Sequence, residues 1–390
     1  MNSISLRILP AIALLLVAAC GEQKVDTSQG SEASTDTTAA LVERAGAPLF
    51  DGMSDYEMPI TTQNADAQRY FNQGMVLAFA FNHAESIRSF RAAQTLDPSC
   101  AMCFWGEALA TGPNINVTSK GKVIMSAAER EAAFSALQQA LALKANATPR
   151  EQAYIEALAT RYNGQPETDR EPLDRAWAQA MGKVAKQYPE DMTAASIYAE
   201  SLMNTMPWNY WSDDGIAKPE TSAVIESLDR VLEAEPDHPL ALHLYIHALE
   251  ASNDPGRAEA AADRLANLVP GAGHLVHMPS HIYYRVGRYN DAALANQRAA
   301  DVDEAYIAAC NAQGFYPALY YPHNIHFLWS AATMQGQSVL SIESARRVVA
   351  NVRVEQVQAF PTVEFFRTVP LLSLVRFGRW DDILREPHPH

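Results

Sequence analysis

The chain has 390 residues, a formal net charge of −15, and 48% hydrophobic against 19% charged residues. An acidic body without Lys/Arg runs lacks the cationic footprint that phosphate-rich partners need, which argues against nucleic acid and anionic membrane surfaces as partners. The length suffices for one large core or a long array of repeats.

In chain order, residues 1–19 read as a signal peptide. Arg7 gives the positive n-region, Ile8 to Leu16 a short apolar stretch, and Val17-Ala18-Ala19-Cys20-Gly21 a small-residue cleavage site ending in cysteine. That ending resembles the lipoprotein box of bacteria. The resemblance implies acylation of Cys20 and a protein tethered to the cell envelope, on a periplasmic or outer-membrane face. No later segment has 18 consecutive apolar residues, the length of a membrane span. Residues 20–47 are rich in Ser, Thr, Ala, Gly and acidic side chains, a composition that buries no core and suits a flexible tether. Outside the cytoplasm, the Cys100-Ala-Met-Cys103 pair suits a local disulfide; a redox centre uses the same spacing. No His follows Cys103, so haem attachment is ruled out, and Cys310 has no evident partner.

From residue 66 the chain is Ala-rich, nearly free of strand-like alternation, and punctuated by Pro. A 34-residue frame fits it: an aromatic at position 4, small residues at 8 and 20, Gly at 15, a large apolar at 24, Ala at 27 and Pro at 32. Starting at residue 67, the frame gives Tyr70, Gly74, Ser86, Phe90, Ala93 and Pro98. Further frames start at Ala101, Pro239, Gly273 and Pro322, with Gly287 and Gly336 at position 15 of the last two. These residues resemble tetratricopeptide repeats. The resemblance implies an all-α superhelical solenoid of helical hairpins over residues 48–390, with the first helix of each hairpin lining a concave groove. The physics agrees: small residues let two helices approach, Gly takes the turn and Pro ends the second helix.

Seven of the eleven histidines fall in three of these frames. His243 and His247 take positions 5 and 9 of one, His277 and His281 the same positions of the next, and His326 position 5 of the third. His274 and His323 take position 2. Steps of three or four put these positions on one helical stripe, with Glu250 at position 12 beside them. Packed helices lie about 8–10 Å apart, so imidazoles of neighbouring hairpins can converge on one point. Neutral imidazole suits Zn, Cu or Fe, and three His, or two His and a carboxylate, leave a position open at the ion. A transition-metal site within residues 239–336 is therefore expected, with Glu250 as ligand or as the proton acceptor of a metal-dependent reaction. The same groove can instead hold a peptide or a partner protein through imidazole N–H groups, as a non-catalytic scaffold. Pro279 stands at position 7 of its frame, so either the helix is kinked or it begins there and His274 and His277 lie on an irregular approach. His243, His247, His281 and His326 therefore lie most directly on the stripe.

Two insertions, GPNINVTSKGK after residue 111 and MNTMPWNYWSDDGIAKPE from Met203, should emerge on one edge of the solenoid, and Trp208, Tyr210 and Trp211 of the second can form a lid. Tyr320, Tyr321 and Asn324 stand near the histidines as candidate outer donors or as packing. The sequence has no GxSxG, no HExxH and no phosphate or dinucleotide loop. The blocks FNQG, FNHAE, DPSCAMCFWGEALATGPNIN, HLYIHALE, HLVHMPSHIYYRVGRY and PHNIHFLWSAATMQG are similar to those of a group of bacterial tetratricopeptide proteins. That resemblance implies a fold and an envelope location but no particular reaction. Proteins of that type run on past FGRWDDIL, so the last repeat is expected to lack its outer cap or the chain to be shortened.

Overall fold

The computed structural model describes residues 38–165, 169–312 and 314–386. The expected signal peptide, Cys20 and most of the tether lie outside them. The described residues fall in two units; of the first, residues 38–43 are helical, and the second runs from Arg44 onward.

The second unit is a succession of helices, most of them packed on the next. Helices α1 (Ala65–Phe79) and α2 (His83–Leu96) form the first hairpin, and α3 (Ala101–Thr111) and α4 (Ala127–Leu143) the second. Local chemistry starts them. Asn64 accepts from the amides of Asp66 and Ala67 at 3.0 and 3.2 Å, and Ser126 and Glu129 form a reciprocal capping box on α4. The small residues of the frame have a visible purpose. The Phe90 ring lies between Gly74 and Gly106, where an added Cβ would come within 2.8 and 2.3 Å of it. Gly106→Ala is accordingly expected to destabilise the protein by about 1–3 kcal/mol, read from the urea midpoint, because the ring has nowhere to move.

The Cys100 and Cys103 sulfurs are joined in a disulfide that closes the start of α3. Helices α5 (Pro149–Leu158), α6 (Arg170–Gln187), α7 (Met192–Thr205) and α8 (Pro219–Ala234) continue the array. The first insertion carries the only strands among the described residues, β1 (Thr118–Ser119) and β2 (Lys122–Val123), joined through Lys120 and Gly121 at positive φ as a tight hairpin requires.

Then come α9 (Pro239–Leu249), α10 (Glu259–Leu265), α11 (Gly273–His277), α12 (Pro279–Arg285) and α13 (Tyr289–Cys310). A π-helical turn over Tyr316–Tyr320 leads into α14 (Tyr321–Met334), followed by α15 (Ser338–Ala350), α16 (Val354–Ala359), α17 (Val369–Arg376) and α18 (Trp380–Ile383). Every residue of α9 is buried. It packs on its sequence neighbours and also against α1, so the first hairpin covers the middle of the array. No helix among the described residues is long and apolar enough to cross a membrane.

Candidate metal centre

Six of the seven expected histidines meet, in two sets of three. One nitrogen each from His243, His247 and His274 lie within 4.8 Å of one another, and the same holds for His277, His281 and His323. The sets adjoin: the rings of His247 and His281 are 5.6 Å apart and those of His274 and His277 5.8 Å.

Positions 5 and 9 of α9 supply His243 and His247 on adjacent turns of one face. The Pro279 problem resolves as an interruption. Helix α11 ends at His277 and α12 begins at Pro279, yet Met278 between them keeps right-handed helical angles (φ −50°, ψ −40°). The missing proline N–H breaks the hydrogen-bond ladder without changing the path, so His274, His277 and His281 stay on one side.

The third hairpin departs from expectation. His323, not His326, faces the site, together with Phe327 one turn on, whose ring lies 5.0 Å from that of His277 and 4.5 Å from that of His281. His326 packs instead against Trp329 and Phe366, with ring centroids 5.0 and 5.3 Å away, and burial lowers its pKa to about 4. The reason is helix roll: α14 continues a π-helical turn that begins before the frame does, and spacing along the chain does not set how a helix is rotated about its axis.

In four of the six rings, those of His243, His247, His277 and His281, a partner on the far side sets the tautomer. His243 Nδ1 donates to the Phe79 carbonyl at 2.6 Å and His277 Nδ1 to Asn296 Oδ1 at 2.5 Å. The Asn296 amide is oriented by its own N–H bond to the Ala292 carbonyl at 2.7 Å. Glu250 is neither free nor aimed at the nitrogens that converge. Its Oε1 accepts from His247 Nδ1 at 2.9 Å and its Oε2 from His281 Nδ1 at 2.6 Å, so one carboxylate orients a histidine in each set. This corrects the expectation of Glu250 as a metal ligand: both oxygens are already engaged on the outer side of the rings. Burial alone would push this carboxyl up, but the charge of His281 and the two hydrogen bonds outweigh it and hold it well below the usual carboxylate range.

On the near side, Nε2 of His243, Nε2 of His247 and both nitrogens of His274 are buried with no hydrogen-bond partner. In the other set, the Nε2 atoms of His277 and His281 approach to 2.9 Å. Burial first, then neighbouring imidazoles, keep His243, His274, His277 and His323 well below the ordinary imidazole pKa; burial also lowers His247, against the opposing pull of Glu250. Neutral rings with unpartnered lone pairs are what metal ligation needs.

Three further residues surround the sets, of which the sequence marks Tyr320 and Trp208 as candidates and leaves Phe81 unmarked. Phe81 stacks on the first set, its ring 4.5 Å from His243 and 5.5 Å from His274, from a left-handed backbone at φ 56° that bulky residues avoid. Tyr320 sets its ring 4.6 Å from that of His274. Trp208, from the second insertion and also at positive φ (62°), stands edge-on to His247 at 5.1 Å. The other named residues turn elsewhere: Asn324 donates to Asp303, Tyr321 to Glu304, and the Trp211 indole to the Ala248 carbonyl. A larger cavity of about 960 Å³ beside Tyr56, Asp191 and His238 shares no residue with either set.

No family model and no curated protein matches this chain. Among solved structures it is similar to the human IFIT1 dimer with PPP-AAAA, at 12% identity and a TM-score of 0.42 over 91% of this chain and 77% of that one. It is also similar to yeast Tom70, at 11% identity and a TM-score of 0.28 over 82% and 83% respectively. Its helices define the class: an all-α, tetratricopeptide-type array of helical hairpins with six histidines gathered between them.

Proposed function

We propose that this protein is a tetratricopeptide-type scaffold that binds two transition-metal ions side by side, one in each histidine set. The observation that carries the reading is the row of unpartnered buried nitrogens on His243, His247 and His274. Each unpaired buried polar atom costs about 1–3 kcal/mol, a cost that an ion bound at that point removes. The Phe79 carbonyl, Asn296 and Glu250 supply the outer hydrogen bonds that orient metal-binding imidazoles. Three neutral imidazoles suit Zn, Cu or Fe and leave a coordination position open.

The use of this fold to grip a peptide fits the histidines poorly. His243, His274 and His277 are at most 1% exposed, out of reach of a bound chain. The reading includes attachment to the bacterial cell envelope through acylated Cys20, supported by the sequence of the first twenty residues.

Elemental analysis of protein isolated from its native host tests the metal assignment. About two equivalents of transition metal per chain are expected, and calorimetric titration of the metal-free protein with zinc should reach the same stoichiometry. Protein that takes up no zinc in that titration overturns it.

A further inference from the structure

A small pocket of about 190 Å³ opens directly over both histidine sets. It is lined by His247 and His274 of one set, His281 and His323 of the other, here called its floor, and by Asn116, Trp208, Leu319 and Tyr320, here called its walls. The walls come from three remote parts of the chain. Asn116 belongs to the first insertion and Trp208 to the second, and the Asn116 amide donates to the Tyr320 hydroxyl at 3.2 Å across 204 residues of sequence. Both insertions thus end at one opening, although nothing in the repeat requires either.

The shape and chemistry of this pocket select an occupant. An apolar cavity of about 150 Å³ takes benzene, so a pocket of 190 Å³ takes one ring with a small substituent and excludes a peptide or a nucleotide. No Lys, Arg, Asp or Glu lines it, so a charge on the part of a guest that faces Trp208, Leu319 and Tyr320 would lose its hydration without gaining a partner there. The indole of Trp208 and the ring of Tyr320 present aromatic surface, which favours edge-to-face or offset contact with an aromatic guest. Its polar capacity is that of the imidazoles: Nε2 of His247 and both nitrogens of His274, two of its lining residues, are unpartnered.

The geometry points to a single-ring phenol as the ligand of this pocket, its ring held between Trp208, Leu319 and Tyr320 and its hydroxyl directed at the histidine floor. This rests on the metal reading above, because the hydroxyl would meet the open position of an ion held by the floor. Trp208 then sets specificity. It is 46% exposed and stands at the opening on a backbone at φ 62°, a conformation kept although glycine would adopt it without strain.

Calorimetry on zinc-loaded protein tests this, with phenol as the probe and cyclohexanol as a non-aromatic control of similar size. Zinc uptake is measured first, in wild type and in Trp208→Gly, a substitution the backbone accommodates. The expected result is equal zinc content in both, saturable phenol binding to wild type with Kd on the order of 1 mM, about tenfold weaker binding to Trp208→Gly, and no saturable binding of cyclohexanol. Full zinc content with phenol that does not saturate, or that binds Trp208→Gly as well as wild type, overturns the phenol pocket and leaves the metal reading standing. Absence of zinc uptake overturns the metal reading at the first step, and the phenol assignment with it.

Discussion

His274→Ala should abolish tight binding of one zinc equivalent and leave the other almost intact. A structural zinc site is worth roughly 10–16 kcal/mol across four ligands, so one imidazole represents about 3–4 kcal/mol, or a 10²–10³-fold loss in affinity. His274 belongs to the first set alone, so the second set of His277, His281 and His323 should keep its ion. Glu250→Gln should give the opposite pattern. Its carboxylate accepts from both His247 and His281, and loss of such an outer partner typically weakens metal binding 10–100-fold, here at both equivalents together. His326→Ala should change neither, since that ring packs on Trp329 and Phe366. Competitive titration against a chromophoric chelator separates these outcomes. Equal loss of both equivalents in His274→Ala would mean one shared site rather than two, and unchanged affinity in Glu250→Gln would strip the carboxylate of its linking role.

The contrast between His323 and His326 also shows what the sequence can and cannot carry. Spacing by three and four is a property of one helix, so His243 with His247 and His277 with His281 could be read as same-face pairs from the chain alone. Helix roll is a property of packing: the frame puts both His323 and His326 of α14 on the stripe, and only His323 reaches the site. Two other site residues break the repeat in ways the frame makes visible. Position 15 is Gly287 and Gly336 in two repeats but Phe81 in the first, and all three have positive φ. Phe81 thus meets a turn that favours glycine, and its ring becomes a wall of the site. Position 24, apolar at Phe90, is Asn296 in the repeat from Gly273, and that amide orients His277. Misfits to the repeat therefore marked the site as well as the histidines did. The contact of the Phe79 carbonyl with His243 spans 164 residues and left no trace in any local pattern. It arises only when the first hairpin packs across the array.

The buried imidazoles should also make the metal-free protein acid-labile. Burial lowers His83, His238 and His326, none of them in either metal set, from 6.5 to about 4. A histidine with a depressed folded pKa gives stability that is complete above the unfolded value and lost as pH falls from about 6.5 towards 4, because the unfolded chain binds the proton first. Each shift corresponds to about 3 kcal/mol, so the three together represent about 10 kcal/mol. Asp303 opposes them. Burial raises it from 3.8 to about 7, against the hydrogen bonds from Tyr316 and Asn324, so its contribution grows as pH falls through the same range, by about 4 kcal/mol. The three histidines outweigh Asp303 by about 6 kcal/mol; Glu85, Glu200 and Glu235, raised by burial, act with Asp303, while Glu250 and the buried rings of the metal sets act with the histidines. That difference is comparable to the whole stability of an ordinary domain, about 5–15 kcal/mol. The urea midpoint of the metal-free protein should therefore drop continuously between pH 6.5 and 4.5, and more steeply in Asp303→Asn, where the opposing carboxyl is gone. A midpoint that stays level across this range would mean that these rings accept protons inside the fold at no cost, contrary to their burial.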